Sequence, residues 1–177
     1  MEQKVDLLFV VRAIPTDTGV REIKAQVPEG AIRCIPEDTG DPYSTFCEAL
    51  KVGEEVDAGV VHMESAVRLS DNFYEFVQWT INSHEGCIVQ FFSMREADLQ
   101  EGSRMDTKFV MTTCFYVPKA MAYSLRKFVE EGKGEFSHYD EAVDKWLILQ
   151  GIRYYIACPN PVDRVTTSQW VSKTFKP

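Results

Sequence analysis

Short apolar runs alternate with amphipathic segments along most of this chain. Each run is bounded by Gly, Pro, Asp or Thr, as expected for buried strands that end in turns. Strands followed by helices are typical of an α/β domain with a largely parallel sheet. The pattern predicts four strands, near residues 5–11, 31–35, 58–63 and 87–92.

The intervening segments predict helices. Short ones are expected over 17–27, from a Ser44 cap to Gly53, and from Ser70 or Asp71 to Gly86. A long helix is expected from about Arg104 to Glu131, with Ser103 as its cap and a kink at Pro118. The predicted fold is therefore α/β, with a mostly parallel sheet of four or five strands, helices on both faces, and a long helix leading to a short C-terminal appendage.

The Gly-Lys-Gly at 132–134 is the one candidate linker, so residues 1–132 are predicted to be the main domain and 133–177 the appendage. The net charge of −8 argues against a dedicated nucleic-acid binder, although 133–177 alone carries six basic and five acidic residues. The appendage is either a degenerate helix-turn-helix or a packed tail. The first would place Lys173 and Lys176 on DNA, and the second would lay its aromatic side chains, among them Trp146, Tyr154 and Trp170, on the main domain.

The composition argues against a zinc-binding protein and against a membrane-spanning one. The five cysteines and three histidines are widely scattered and lack the spacing of zinc ligands. We therefore expect reduced thiols and no bound metal, and no cofactor is expected. No apolar run approaches the ~18 residues of a membrane span. These features predict a cytoplasmic protein without a membrane partner.

Four segments in order carry a resemblance to a known family. They are FVVRAI with Arg12, EDTG at Glu37–Gly40, VVHM followed by RLSDNFYEF at Arg68–Phe76, and Gly86–Phe109. Together they resemble the catalytic domain of serine site-specific recombinases of the resolvase/invertase branch, over roughly residues 4–132. The resemblance implies a resolvase-like domain in which the long helix mediates subunit pairing.

The resemblance also implies that catalysis has been lost. In the family a serine attacks DNA phosphate, assisted by several arginines, and that serine position holds Ile14 here. Asp71 stands where a family arginine is expected, and two further arginine positions fall on or near Thr45 and Ala122. No catalytic residue is therefore expected, and the chain is predicted to be a pseudoenzyme.

Arg12 and Arg68 are the arginines of the family pocket that remain. They are the candidate residual anion pocket, or they pair with carboxylates such as Glu37, Asp38 or Asp71.

The expected function is that of a catalytically inactive recombinase-like interaction or regulatory module, tied to DNA recombination or a mobile element. Its partner would be a second copy or another protein, and the candidate dimer interface is Phe115, Met121, Leu125 and Phe128. The rival is a monomer whose tail aromatics cover that surface. Two alternative functions stay open: an anion- or nucleotide-binding protein or enzyme that reuses the Arg12/Arg68 cleft, and a DNA-binding accessory protein that acts through its tail.

Overall fold

A computed structural model describes residues 7–13, 19–37, 40–56, 58–96, 98, 102–109 and 111–164. The described residues form a large sheet, a two-stranded ribbon and five helices. The strands are β1 (Leu8–Ala13), β2 (Ile32–Pro36), β3 (Val60–Glu64), β4 (Val67–Leu69), β5 (Val89–Gln90), β6 (Arg104–Asp106), β7 (Cys114–Val117), β8 (Tyr154–Ile156) and β9 (Val162–Arg164). The helices are α1 (Gly19–Gln26), α2 (Pro42–Glu55), α3 (Phe73–Ser83), α4 (Lys119–Glu131) and α5 (Tyr139–Gln150).

The large sheet has seven strands in the order β2-β1-β3-β7-β5-β8-β6, and β4 pairs with β9 in the ribbon. Strands β2, β1, β3, β5 and β8 run in one direction, whereas β7 and β6 are antiparallel to their neighbours. The predicted α/β class with a mostly parallel sheet is confirmed. The predicted count of four or five strands is too low, because β6, β7 and β8 come from segments that were assigned to the long helix and the appendage.

Helices cover both faces of the sheet, as predicted. Alternate residues of β1 point to opposite sides, as in any strand. Phe9 and Val11 pack with α1 and α3, whereas Val10 packs with α2. Helices α4 and α5 lie on the α2 side, where Leu125 and Trp146 join one core. Arg12 shares that side of β1, since it alternates with Val11.

Asp41, rather than Ser44, caps α2. The Asp41 carboxylate accepts a hydrogen bond from the Ser44 backbone N–H at 3.0 Å, and Pro42 occupies the first helical turn. Proline is favoured there because its missing N–H has no partner in that turn in any case.

The predicted long helix over 104–131 is wrong. Residues 104–106 form β6, 114–117 form β7, and only 119–131 are helical. The stretch that ends in Cys114–Val117 is rich in β-branched and aromatic residues, and all four strand residues are buried between the two helical layers. Pro118 does not kink a helix; it is the N-cap of α4.

The boundary at residue 132 has no counterpart in the sheet. Residues 133–164 supply α5, β8, which lies between β5 and β6, and β9, which pairs with β4. Two segments of the appendage, where a helix-turn-helix would have helices and turns, form the strands β8 and β9. Lys173 and Lys176 lie outside the described residues. The described part of the appendage is therefore packed into the main fold.

The proposed dimer interface is largely internal. Phe115 and Leu125 are fully buried, and Met121 and Phe128 are partly buried against the same core. Trp146 and Tyr154 belong to that core, as the rival monomer arrangement expected, whereas Trp170 lies outside the described residues. Much of the apolar surface that suggested a second copy is thus packed within the chain itself.

Among the described residues, no helix is long and apolar enough to cross a membrane.

Candidate ligand-binding site at the carboxyl edge of the sheet

The strand order defines a topological switch point between β1 and β3. From β1 the chain passes to β2 on one side, and it then crosses to β3 on the other side of β1. In open α/β sheets, ligands bind in the crevice outside the carboxyl ends of the strands that flank such a point. Here β1 ends at Ala13 and β3 ends at Glu64, and their register places Arg12 beside Glu64. We call this the carboxyl edge.

Arg12 is a buried structural cation at this edge. Its side chain is 1% exposed, and its Nη2 donates to the backbone oxygen of Thr112 at 3.0 Å. The guanidinium lies 5.0 Å from the ring centres of both Phe46 and Tyr139, and Nη2 lies 3.6 Å from Glu64 Oε1. Arg12 therefore does lie beside a carboxylate, as the ion-pair alternative expected, but that carboxylate belongs to Glu64, which the sequence did not suggest.

Arg68 lies in a different environment. It is the exposed middle residue of β4 and stands opposite Asp163 of β9. Asp163 is buried, which raises the pKa of its carboxyl group, while Arg68 opposes that shift. The two arginines of the predicted pocket thus belong to separate sheets. Ile14, at the position of the family nucleophile, lies outside the described residues.

Glu64 is the centre of the polar group that the structure does assemble here. Its side chain is 16% exposed, and its Oε2 lies 3.6 Å from Arg164 Nε. The Thr113 hydroxyl donates to the same oxygen at 3.4 Å. All these side-chain contacts are long for hydrogen bonds to a carboxylate, which are usually about 2.7–2.9 Å. We call Glu64, Thr113 and Arg164 the Glu64 site.

Sequence reasoning missed all three residues of the Glu64 site. A signal existed for Glu64, because it ends a buried strand and the strands of such sheets end at the ligand-binding edge. No such signal existed for Arg164. Its place depends on the pairing of β9 with β4, two segments that lie nearly a hundred residues apart in the chain.

His62 is a second buried titratable side chain on the same side of β3 as Glu64. It stacks on Phe115, with ring centres 5.3 Å apart. Burial and the nearby positive charge of Arg12 lower the pKa of His62 to about 3. Its imidazole is therefore neutral near neutral pH and adds no charge to the carboxyl edge.

A separate charged cluster ties the loop after β5 to β6. Asp98 is 0% exposed and accepts hydrogen bonds from Ser93 Oγ, from Arg104 and, at 2.7 Å, from Arg95 Nε. Both arginines also bind Asp106, at 2.7 Å and 3.2 Å. We call these five residues the Asp98 network. Within the part of the chain that the structure describes, its two arginines are matched by two aspartates, so the network acts as a structural anchor.

The sequence matches no protein-family model and no curated protein. Among the described residues, no group of three or more His, Cys, Asp or Glu side chains is placed to hold a metal ion.

Proposed function

We propose that this protein binds a small phosphorylated molecule that carries hydroxyl groups, of the nucleotide class, at the Glu64 site. The observation that carries the proposal is the position of Glu64 at the β1/β3 switch point, where it is 16% exposed and receives no short side-chain hydrogen bond from the described residues. The proposal is one of binding, and it assigns no described residue a catalytic role.

The Glu64 carboxylate has acceptor capacity to spare. An ionised carboxylate offers about four lone-pair sites and accepts hydrogen bonds only. Among the described residues its side-chain partners are Thr113 at 3.4 Å and the two arginines at 3.6 Å, and none of these is a short donor. A nearly buried carboxylate gains most from strong donors, and the hydroxyls of a ribose or another sugar are donors of this kind.

Arg164 supplies the contact for phosphate. Its side chain is 43% exposed, and its Nε lies 3.6 Å from Glu64 Oε2. A guanidinium presents five N–H donors in a planar fork that matches phosphate oxygens. Helix α2 follows β2 of the large sheet and so begins on the side of the carboxyl edge, where the positive end of a helix favours an anion.

A second hypothesis keeps the recombinase resemblance. In it the chain is an inactive interaction module that acts in DNA recombination, as a homodimer or with another protein. Helices on both faces of a mostly parallel sheet support this hypothesis. The predicted dimer depended on a long pairing helix, and strands at Arg104–Asp106 and Cys114–Val117 occupy the first part of that predicted helix. The hypothesis of DNA binding through the tail depends on Lys173 and Lys176, which lie outside the described residues.

Calorimetric titration of the full chain tests the ligand proposal. The probes are ADP, UDP, ribose 5-phosphate, adenosine and inorganic phosphate. We expect at least one of the first three to bind with a Kd below about 1 mM, and adenosine and phosphate each to bind at least about tenfold more weakly, since each offers only one of the two recognised groups.

Two variants locate the binding. Arg164→Gln should lower the affinity for the probe that binds by about tenfold or more, which corresponds to about 1.4 kcal/mol of binding free energy. Arg33→Gln is the matched control, because Arg33 is an exposed arginine that pairs with Glu55 away from the Glu64 site. This variant should bind the probe with the affinity of the wild type. Absence of binding by all five probes, or equal affinities in the two variants, would contradict the proposal.

A further inference from the structure

The segment that leads into β7 is held in an unusual backbone conformation. Met111 has a φ of +78°, in the left-handed region that residues other than glycine rarely adopt. Such strain persists only where the surroundings hold the residue in place, and it is frequent at binding sites. Met111 directly precedes Thr112 and Thr113, which contact Arg12 and Glu64.

Two carboxylates of α5 hold this segment from one side. Asp140 Oδ1 accepts hydrogen bonds from both the backbone N–H and the hydroxyl of Thr112, at 3.0 Å and 2.6 Å. Asp144 lies one turn further along α5 and accepts from the Phe109 N–H at 2.7 Å. The two aspartates therefore hold the chain before and after Met111. Asp144 binds Phe109, which precedes Met111, whereas Asp140 binds Thr112, which is the neighbour of Thr113 in the Glu64 site.

The other side of the segment forms part of the Glu64 site. The Thr112 backbone oxygen accepts from Arg12, and the Thr113 hydroxyl donates to Glu64. The Thr113 backbone oxygen accepts from the Glu64 N–H at 2.9 Å. A shift of Thr112 would thus change the position of Thr113 and the place of the Glu64 carboxylate.

We propose that Asp140 is a positioning residue for the Glu64 site. It fixes Thr112 after the strained Met111, and Thr112 in turn fixes Thr113 against Glu64. The part of this inference that concerns affinity rests on the proposed function, whereas the part that concerns the geometry of Glu64 does not.

The ligand-independent test is amide hydrogen exchange of the full-length protein, followed by NMR. The reporter is the Glu64 amide, and the reference is the Tyr155 amide, which bonds to the Ile88 oxygen in the same sheet. Asp140→Ala should speed exchange at Glu64 by about tenfold relative to Tyr155, because local opening then precedes global unfolding. Asp144→Ala is the matched control and should change both amides by the same factor.

Two further variants separate positioning from general destabilisation. Asp140→Asn keeps an acceptor oxygen for Thr112 and should restore most of the protection at Glu64. Thr112→Val removes only the hydroxyl bond and should give an intermediate effect, which keeps the test available if Asp140→Ala does not fold. Equal effects of Asp140→Ala and Asp144→Ala on the ratio of Glu64 to Tyr155 exchange would overturn the inference, as would failure of Asp140→Asn to restore it.

The affinity arm uses ADP, UDP and ribose 5-phosphate. Asp140→Ala should weaken whichever of the three binds the wild type by about fivefold or more, and Asp144→Ala should not. Unchanged affinity together with faster Glu64 exchange would overturn the role of Asp140 in binding. If none of the three binds the wild type, the proposed function fails, and the exchange ratio still decides whether Asp140 positions Glu64.

Discussion

Replacement of Asp98 by alanine is expected to lower the free energy of unfolding by about 3 kcal/mol, one of the two largest effects that the structure predicts. Asp98 is fully buried and accepts from Ser93, Arg95 and Arg104. Its removal leaves two guanidinium groups without their buried partner. The arginines are 22% and 26% exposed, and partial hydration keeps the cost at the lower end of the range for broken buried ion pairs.

Urea unfolding of the full chain measures this effect. Glu55→Ala is the control, because it removes a carboxylate from an exposed ion pair with Arg33 and should cost less than about 1 kcal/mol. Similar losses in the two variants would contradict the description of the Asp98 network as a structural anchor.

Replacement of Arg12 by methionine is expected to cost about 2–4 kcal/mol of unfolding free energy. Methionine is unbranched and apolar and ends where the guanidinium of arginine begins, so the change removes the hydrogen bond to Thr112, the contact with Glu64 and the charge between the rings of Phe46 and Tyr139. The Thr112 backbone oxygen then loses a buried donor, which alone costs about 1–3 kcal/mol.

The same variant distinguishes a structural arginine from a ligand-binding one. If Arg12 faced an open anion pocket, Arg12→Met would abolish anion binding, and it would leave the free energy of unfolding unchanged or would raise it. The matched variant Arg68→Met alters an exposed arginine of the predicted pocket and should change stability by less than about 1 kcal/mol. A smaller loss for Arg12→Met than for Arg68→Met would refute the assignment of Arg12 to the core.

The sequence predicts well the parts of this fold that depend on local pattern. The predicted bounds of the first three strands agree with the structure within about three residues, because each strand is a short apolar run closed by turn residues. Periodicity failed over 104–131, where apolar residues also match a helical stripe. There, β6 and β7 depend on partners that come from distant parts of the chain, β8 and β3. Such tertiary pairing overrides local propensity and is not visible in a single sequence.

The candidate site shows the same division. Arg12 could be found because it directly follows the predicted strand 5–11 in a segment that resembles the family, but its burial between α2 and α5 depends on Phe46 and Tyr139. Arg68 was grouped with it through the family resemblance, and the structure places it on the ribbon. The Glu64 site joins residues from β3, β9 and the residue before β7, and only the folded sheet brings them together.

The most direct test of the central claim is an NMR titration of the isotope-labelled full chain with ADP, UDP and ribose 5-phosphate in turn. At about 10 mM, a probe with a Kd of 1 mM or below is nearly saturating. Binding at the Glu64 site predicts that the largest amide shifts for the probe that binds fall on Glu64, Thr113 and Arg164, and that Arg164→Gln reduces them. The largest shifts at the Asp98 network, or none at Glu64 with any of the three probes, would contradict it.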